Sequence, residues 1–138
     1  MSLLLNVFAI SAALSPAPVA TAAKPPSFTI CGTEKRINCV VDGDTFWKDG
    51  QKIRIADIDT PEISRPQCAH ELRRGQAAKR MLLSLLNRHD ARLQPVGRSH
   101  DRYGRRLAIA TINGRSIGEM LIRQKLARPW TGRRESWC

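Results

Sequence analysis

The spacing of the apolar residues changes twice along this chain, and that limits the folds open to it. From Lys35 to Trp47, Ile37, Cys39 and Val41 alternate with polar neighbours, and Asp42-Gly43-Asp44 bends the run. Lys48-Asp49-Gly50-Gln51 carries the Asp-Gly signal of a tight hairpin. Lys52 to Ile58 alternates again through Ile53, Ile55 and Ile58, until Pro61, which has no amide donor, stops the ladder. Between Glu71 and Asn87 the spacing becomes helical: Ala78, Leu82, Leu85 and Leu86 form one stripe, with arginines and Lys79 opposite. Ala91 to Val96 returns to a strand, Arg98 to Arg105 reads as a polar loop, and Arg106 to Ile112 alternates once more. Asn113-Gly114 is a second hairpin turn. Ser116-Ile117-Gly118-Glu119 is a capping box that opens a short helix reaching Gln124.

Three strands, a helix, two strands and a helix describe a β-rich α+β domain. A five-stranded OB-fold barrel with two helices would use that order, although the strand count suits other small α+β folds equally. A chain of 138 residues, 42% hydrophobic, has material for one packed core.

The net charge of +11 excludes an acidic surface and directs the search to polyanions: nucleic acid, anionic lipid or cell-wall polymer. Its distribution says more. Residues 1–62 carry a net −1 and residues 63–138 a net +12. Six of the twelve acids (Asp42, Asp44, Asp49, Asp57, Asp59 and Glu62) fall within 21 residues, either as a solvated turn or as a site.

Residues 1–23 hold no charged side chain, and Leu3 to Leu14 is an apolar run of signal-peptide length that ends before Ala20-Thr21-Ala22, a small-x-small cleavage pattern. The expected organisation is a signal peptide over 1–22, a linker or N-terminal extension over 23–34 and a single domain over 35–138. The protein would then be secreted or periplasmic, with an uncleaved membrane anchor as the lesser outcome. Four cysteines (Cys31, Cys39, Cys68 and Cys138) in an exported chain suggest two disulfides. Three pairings are open. A local Cys31–Cys39 loop would leave Cys68 to tie Cys138 to the body of the domain. Zinc is disfavoured, because there is no CxxC and Cys68-Ala69-His70 is a poor ligand spacing.

Three segments carry chemistry: Val41-Asp42-Gly43-Asp44-Thr45, Ile53 to Glu62, and Asp101-Arg102-Tyr103-Gly104-Arg105. Asp44, Asp59 and a Thr60 oxygen are hard donors suited to Ca²⁺ or Mg²⁺. Arg54 precedes Asp59 by five residues, so a regular strand would put them on opposite faces and a bend must bring them together. Glu62 follows Pro61, where a side chain can reach into a cleft. A carboxylate base, a hard cation and two guanidinium forks are the parts that phosphodiester hydrolysis needs, because charge accumulates on the phosphoryl oxygens in the transition state.

This set, DGDT, R-x4-DTPE and DRYGR in this order and spacing, resembles the thermonuclease (staphylococcal nuclease-like) family over about residues 36–130. The resemblance implies an OB-fold, Ca²⁺-dependent nuclease that cleaves DNA and RNA with low sequence specificity at the P–O5′ bond, leaving 3′-phosphates. It further implies Asp44 and Asp59 as metal carboxylates, with Thr60 lending its carbonyl. Glu62 would be the general base, and Arg54 and Arg105 the phosphate-binding arginines. Arg102 and Tyr103 would contact a terminal phosphate and the nucleotide. No stable protein partner is implied, and a monomer is expected.

The departures are equally specific. The third helix of long family members is expected to be absent, with Cys138 fastening the shortened end. Lys125 stands where some relatives have Gly, and so must adopt or avoid a left-handed conformation. Trp130 is expected to close the barrel rather than stack on a base, and Arg133, Arg134 and Trp137 to pack around a Cys68–Cys138 bridge. His70, His89 and His100 are expected at the surface. Two other classes compete: a non-catalytic nucleic-acid-binding module on the same fold, and a cationic envelope-binding protein.

Overall fold

The computed structural model of the protein describes residues 15–18, 24 and 26–138. The apolar run and the cleavage pattern expected of an export signal lie outside the described residues. No described helix is long and apolar enough to cross a membrane.

The strands follow the turn chemistry. Strand β1 (Thr29–Ile30) lies parallel to β2 (Cys39–Asp42), which pairs antiparallel with β3 (Thr45–Lys48). Across the Asp49-Gly50 turn, β3 pairs with β4 (Gln51–Ile55). Asp49 and Gly50 have φ of 50° and 78°, and Asn113 and Gly114 of 49° and 75°. Two consecutive left-handed residues give the hairpin twist that matches the strands, and Asn, Asp and Gly tolerate it best. A second turn at Ala56-Asp57 leads to β5 (Ile58–Asp59). Helix α1 (Ala69–Arg88) precedes β6 (Arg92–His100) and β7 (Arg106–Ile112), which pair antiparallel, and β7 also pairs with the short β8 (Arg115–Ser116). Helix α2 (Ile117–Arg123) and β9 (Arg128–Pro129) follow.

The sheet order is β1-β2-β3-β4-β7-β6, with a parallel β4–β7 junction, and β5 pairs separately with β9. This corrects the expected five-stranded barrel. The turn after β4 and Pro61 carry β5 out of the main sheet, and the edge strands β1 and β6 do not pair, so the sheet is not closed. The domain is an OB-like α+β fold with a mixed sheet and two helices. No helix follows α2 among the described residues.

Other differences are local. Val40, not Val41, enters the core, because a bulge between Val40 and Asp42 shifts the alternation, and Ile37 is exposed. Strand β6 runs on to His100, which shortens the polar loop. The buried face of α1 is Glu71, Gly75, Ala78, Leu82 and Leu86, with Leu85 only half-buried. Ser116 Oγ accepts from Glu119 N at 3.2 Å, as the capping box requires. Lys125 does take the left-handed conformation (φ 58°), and Leu126 N reaches Leu121 O at 2.9 Å to close the helix end.

Phe46, Ile53, Ile55, Ile58, Leu82, Leu86, Ile117 and Leu121 are fully buried, each worth roughly 1.5–3 kcal/mol. The segment expected as an extension is tied to this core. Phe28 stacks edge-on against Phe46, and Asn87 bonds both its amide (2.7 Å) and its carbonyl (3.0 Å). Of the three possible pairings, the disulfides are Cys31–Cys39 and Cys68–Cys138. The second spans 70 residues and is worth about 4 kcal/mol in the chain-entropy model.

Candidate active site

Asp42-Gly43-Asp44 is the turn between β2 and β3, and it lies hard against α1. A Cβ on Gly43 would come within 2.6 Å of Ala78 Cβ and 2.9 Å of Thr60 Cγ2, so only glycine lets the turn approach. Asp44 is 5% exposed. Its Oδ1 accepts from Thr45 Oγ1 (3.0 Å), and its Oδ2 accepts from Thr60 N (3.2 Å) and pairs with Arg54 Nη2 (3.2 Å). Asp59, on β5, is 2% exposed. The two carboxylates, 15 residues apart in the chain, thus flank Thr60.

The bend required to bring Arg54 to the acids is the Ala56-Asp57 turn. The Arg54 guanidinium donates to the Ile55 carbonyl and, at 2.8 Å, to the Ile58 carbonyl, bridging the turn. Trp130 is 41% exposed and lies over Arg54 (5.9 Å to the ring centroid), which corrects its expected barrel-closing position: β9 ends at Pro129 and delivers the ring to the cleft. Arg105 leaves a loop organised by Asp101. Asp101 Oδ1 accepts from the Tyr103 and Arg105 amides (2.9 and 3.0 Å), and Oδ2 pairs with Arg105 Nε at 2.6 Å. Partial burial would raise the Asp101 carboxyl, but Arg105 and the amides outweigh it and hold the pKa below its usual value. Arg102 donates to Tyr103 Oη (2.7 Å), and both Arg102 and Arg105 lie over the ring of Tyr103, which is 68% exposed.

Glu62 sits in a tight turn after Pro61. Its Oε1 accepts from Ile63 N, Ser64 N and Ser64 Oγ (3.0, 3.1 and 2.8 Å). Buried Glu71, in the first turn of α1, accepts from Glu62 N (3.1 Å) and Gln67 N (2.7 Å) and so fixes this loop. The remaining oxygen, Oε2, accepts from Arg134 Nη1 at 2.8 Å. Burial pushes the Glu62 carboxyl up, but the donors from Arg134 and Ser64 prevail and lower its pKa to about 2.

Asp42, Asp44, Arg54, Asp59, Glu62, Asp101, Arg105, Trp130 and Arg134 line one cleft of about 610 Å³. The six residues expected to carry chemistry converge there: Asp44, Asp59, Glu62, Arg54 and Arg105 on its wall, with Thr60 between the aspartates. Tyr103 and Arg102 stand on the adjoining loop. Among the described residues no histidine lines the cleft. Sequence reasoning did not assign Asp42, Asp101, Trp130 or Arg134 to the site; Asp42 and Asp101 lay within quoted motifs without a role, and Arg134 is 72 residues from Glu62.

Burial, and then the neighbouring Asp44 charge, push the Asp42 carboxyl up to about 7. The donors around it are carboxylates and a carbonyl, a set that fits a hard divalent cation. Among the described residues no three His, Cys, Asp or Glu side chains form a metal cage by themselves. A cation here would therefore draw on the Thr60 carbonyl and solvent as well as on acids.

The sequence model of the family described as staphylococcal nuclease homologue matches residues 52–136, a span that begins after Asp44. Endonuclease YncB of Bacillus subtilis (strain 168) is 34% identical over 94 residues, covering 64% of this chain and 44% of that protein. The SPbeta prophage-derived endonuclease YokF of the same organism is 34% identical over 94 residues, covering 64% of this chain and 31% of that protein. The chain thus spans less than half the length of either relative.

Proposed function

The chain belongs to the family of staphylococcal nuclease homologues, and from that premise we propose that it is a Ca²⁺-dependent nuclease that hydrolyses DNA and RNA with low sequence specificity. The observation that carries the reading is the convergence of Asp44, Asp59 and Glu62 with Arg54 and Arg105 in one cleft. The relatives are named endonucleases, which supports the same chemistry here.

In this reading Arg54 and Arg105 bind the scissile phosphate, their planar forks matching its oxygens and the charge that builds on them. Asp44, Asp59 and the Thr60 carbonyl would hold Ca²⁺, whose chemistry there is to neutralise phosphate charge and orient water. Glu62, ionised at neutral pH, takes a proton from the attacking water as its oxygen bonds to phosphorus. The P–O5′ bond breaks, Arg105 hydrogen-bonds the leaving oxygen, and that oxygen takes up a proton to give a 5′-hydroxyl opposite a 3′-phosphate. Tyr103 and Arg102 contact the nucleotide, with Tyr103 offering a ring face for stacking. The basic second half supplies non-specific grip on the backbone. Two disulfides support a secreted or periplasmic site of action, and the enzyme acts as a monomer.

The test is incubation with single-stranded DNA in Ca²⁺ or EDTA, followed by analysis of product ends. EDTA abolishes cleavage and Ca²⁺ restores it. Glu62→Gln slows turnover by roughly 10²–10⁴-fold while substrate still binds. Full activity of Glu62→Gln would remove the general-base assignment, and 5′-phosphate products would reverse the bond polarity. Binding without cleavage in Ca²⁺ would make the protein a nucleic-acid-binding module instead.

A further inference from the structure

The segment 131–138 does more than pack beside a disulfide. It is fastened beyond Arg134, through each of the four residues that follow it. Arg128 Nη2 donates to the carbonyls of Glu135 and Ser136 (2.9 and 3.1 Å). The Trp137 ring lies on the Arg128 guanidinium (3.7 Å to the centroid), and Cys138 is bonded to Cys68 at the start of α1. So held, Arg134 extends over the acids. Its Nη1 is 2.8 Å from Glu62 Oε2, its Nε 3.4 Å from Asp59 Oδ1, and its Nη2 3.5 Å from the Thr60 carbonyl. The second Asp59 oxygen accepts from Trp137 Nε1 at 3.2 Å.

A guanidinium therefore neutralises Asp59 and Glu62 and reaches the Thr60 carbonyl, two of these three being residues assigned above to the cation. We propose that Arg134 is a further specificity-determining residue of this site, a built-in monovalent surrogate that a divalent cation must displace, so that segment 131–138 sets the cation concentration the site needs. The inference rests on the cation reading of the cleft. Displacement is feasible because the Arg134 side chain is 54% exposed, whereas that of Asp59 is 3% exposed: the charge that can leave is the arginine. Arg133 provides the comparison. Its side chain is 81% exposed and pairs only with Glu135, at 3.8 Å, so it has the same charge without the contacts.

Calorimetric titration of CaCl2 into the calcium-free, disulfide-bonded protein, without nucleic acid, tests this. The proteins compared are wild type, Arg134→Gln, Arg134→Lys and Arg133→Gln, each with its thermal melt. Arg134→Gln binds Ca²⁺ about three- to tenfold more tightly than wild type, the scale of an ion pair with one buried partner. Arg133→Gln matches wild type, and Arg134→Lys lies nearer to wild type than to Arg134→Gln. Unchanged or weaker binding by Arg134→Gln overturns the proposal, as does equal tightening by Arg133→Gln, which would reduce the effect to net charge. Absence of Ca²⁺ binding in all four proteins overturns the cation reading itself and the competition with it.

Discussion

Gly75 is where the helix most directly controls the site, and Gly75→Ala separates two opposing energies. In the interior of α1, alanine is favoured over glycine by about 1 kcal/mol. Against this, a Cβ at Gly75 would lie 2.8 Å from the Pro61 carbonyl oxygen, 2.9 Å from Ile63 Cγ1 and 3.2 Å from the Glu62 carbonyl oxygen. Ordinary carbon–oxygen and carbon–carbon contacts run from about 3.3 to 4.0 Å, so the loop 61–63 must retreat by roughly half an ångström. Two of the obstacles are backbone atoms, which cannot swing aside as a side-chain tip can. Overpacking of this kind costs roughly 1–3 kcal/mol. The net change is a destabilisation of about 0–2 kcal/mol, read by urea denaturation. The functional effect is larger. The loop that retreats carries Glu62, and a misplacement approaching 1 Å can cost about 10²-fold in rate. A fall in kcat of about 10-fold follows, with substrate affinity unchanged because Arg54 and Arg105 sit on other elements. A variant that gained about 1 kcal/mol and kept full kcat would refute the claim that this close approach positions Glu62.

Two further outcomes follow from local geometry. Lys125 at φ 58° bears the cost of a left-handed non-glycine residue, so Lys125→Gly raises stability by about 0.5–1 kcal/mol in a thermal melt. Asp101→Asn removes the ion pair that orients Arg105 and raises KM for DNA about tenfold. Because the folded Asp101 pKa is depressed, its contribution to stability is present above the unfolded value of about 3.9 and is lost as pH falls through the folded one. The gap in melting temperature between wild type and Asp101→Asn therefore holds from pH 7 down to about pH 4 and narrows as the pH falls further.

The positions of the proposed acids and arginines were readable because their cues are short. Asp42-Gly43-Asp44-Thr45 is a turn, Asp59-Thr60-Pro61-Glu62 is a strand end, and Asp101 to Arg105 is a self-bonded loop. Each is defined by residues within a few positions of one another. Both hairpin turns and the capping box belong to the same class, whereas the left-handed demand at Lys125 came from the family resemblance. The alternation around Val40 misled because one bulge shifts a period of two by a whole face.

What the chain's own order determines, then, is the inventory of parts: which segments are strands or helices, where they turn, and which oxygens and guanidinium groups lie near a turn. Local dihedral preference and apolar spacing suffice for that, and they act over a handful of residues. Whether the sheet closes, where Trp130 faces, and what Arg134 touches depend on contacts between residues about 70 apart. Those are settled by β5 leaving the main sheet for β9, and by a disulfide that returns residue 138 to the start of α1. No local pattern encodes such a contact, because its free energy arises only once the intervening domain has packed.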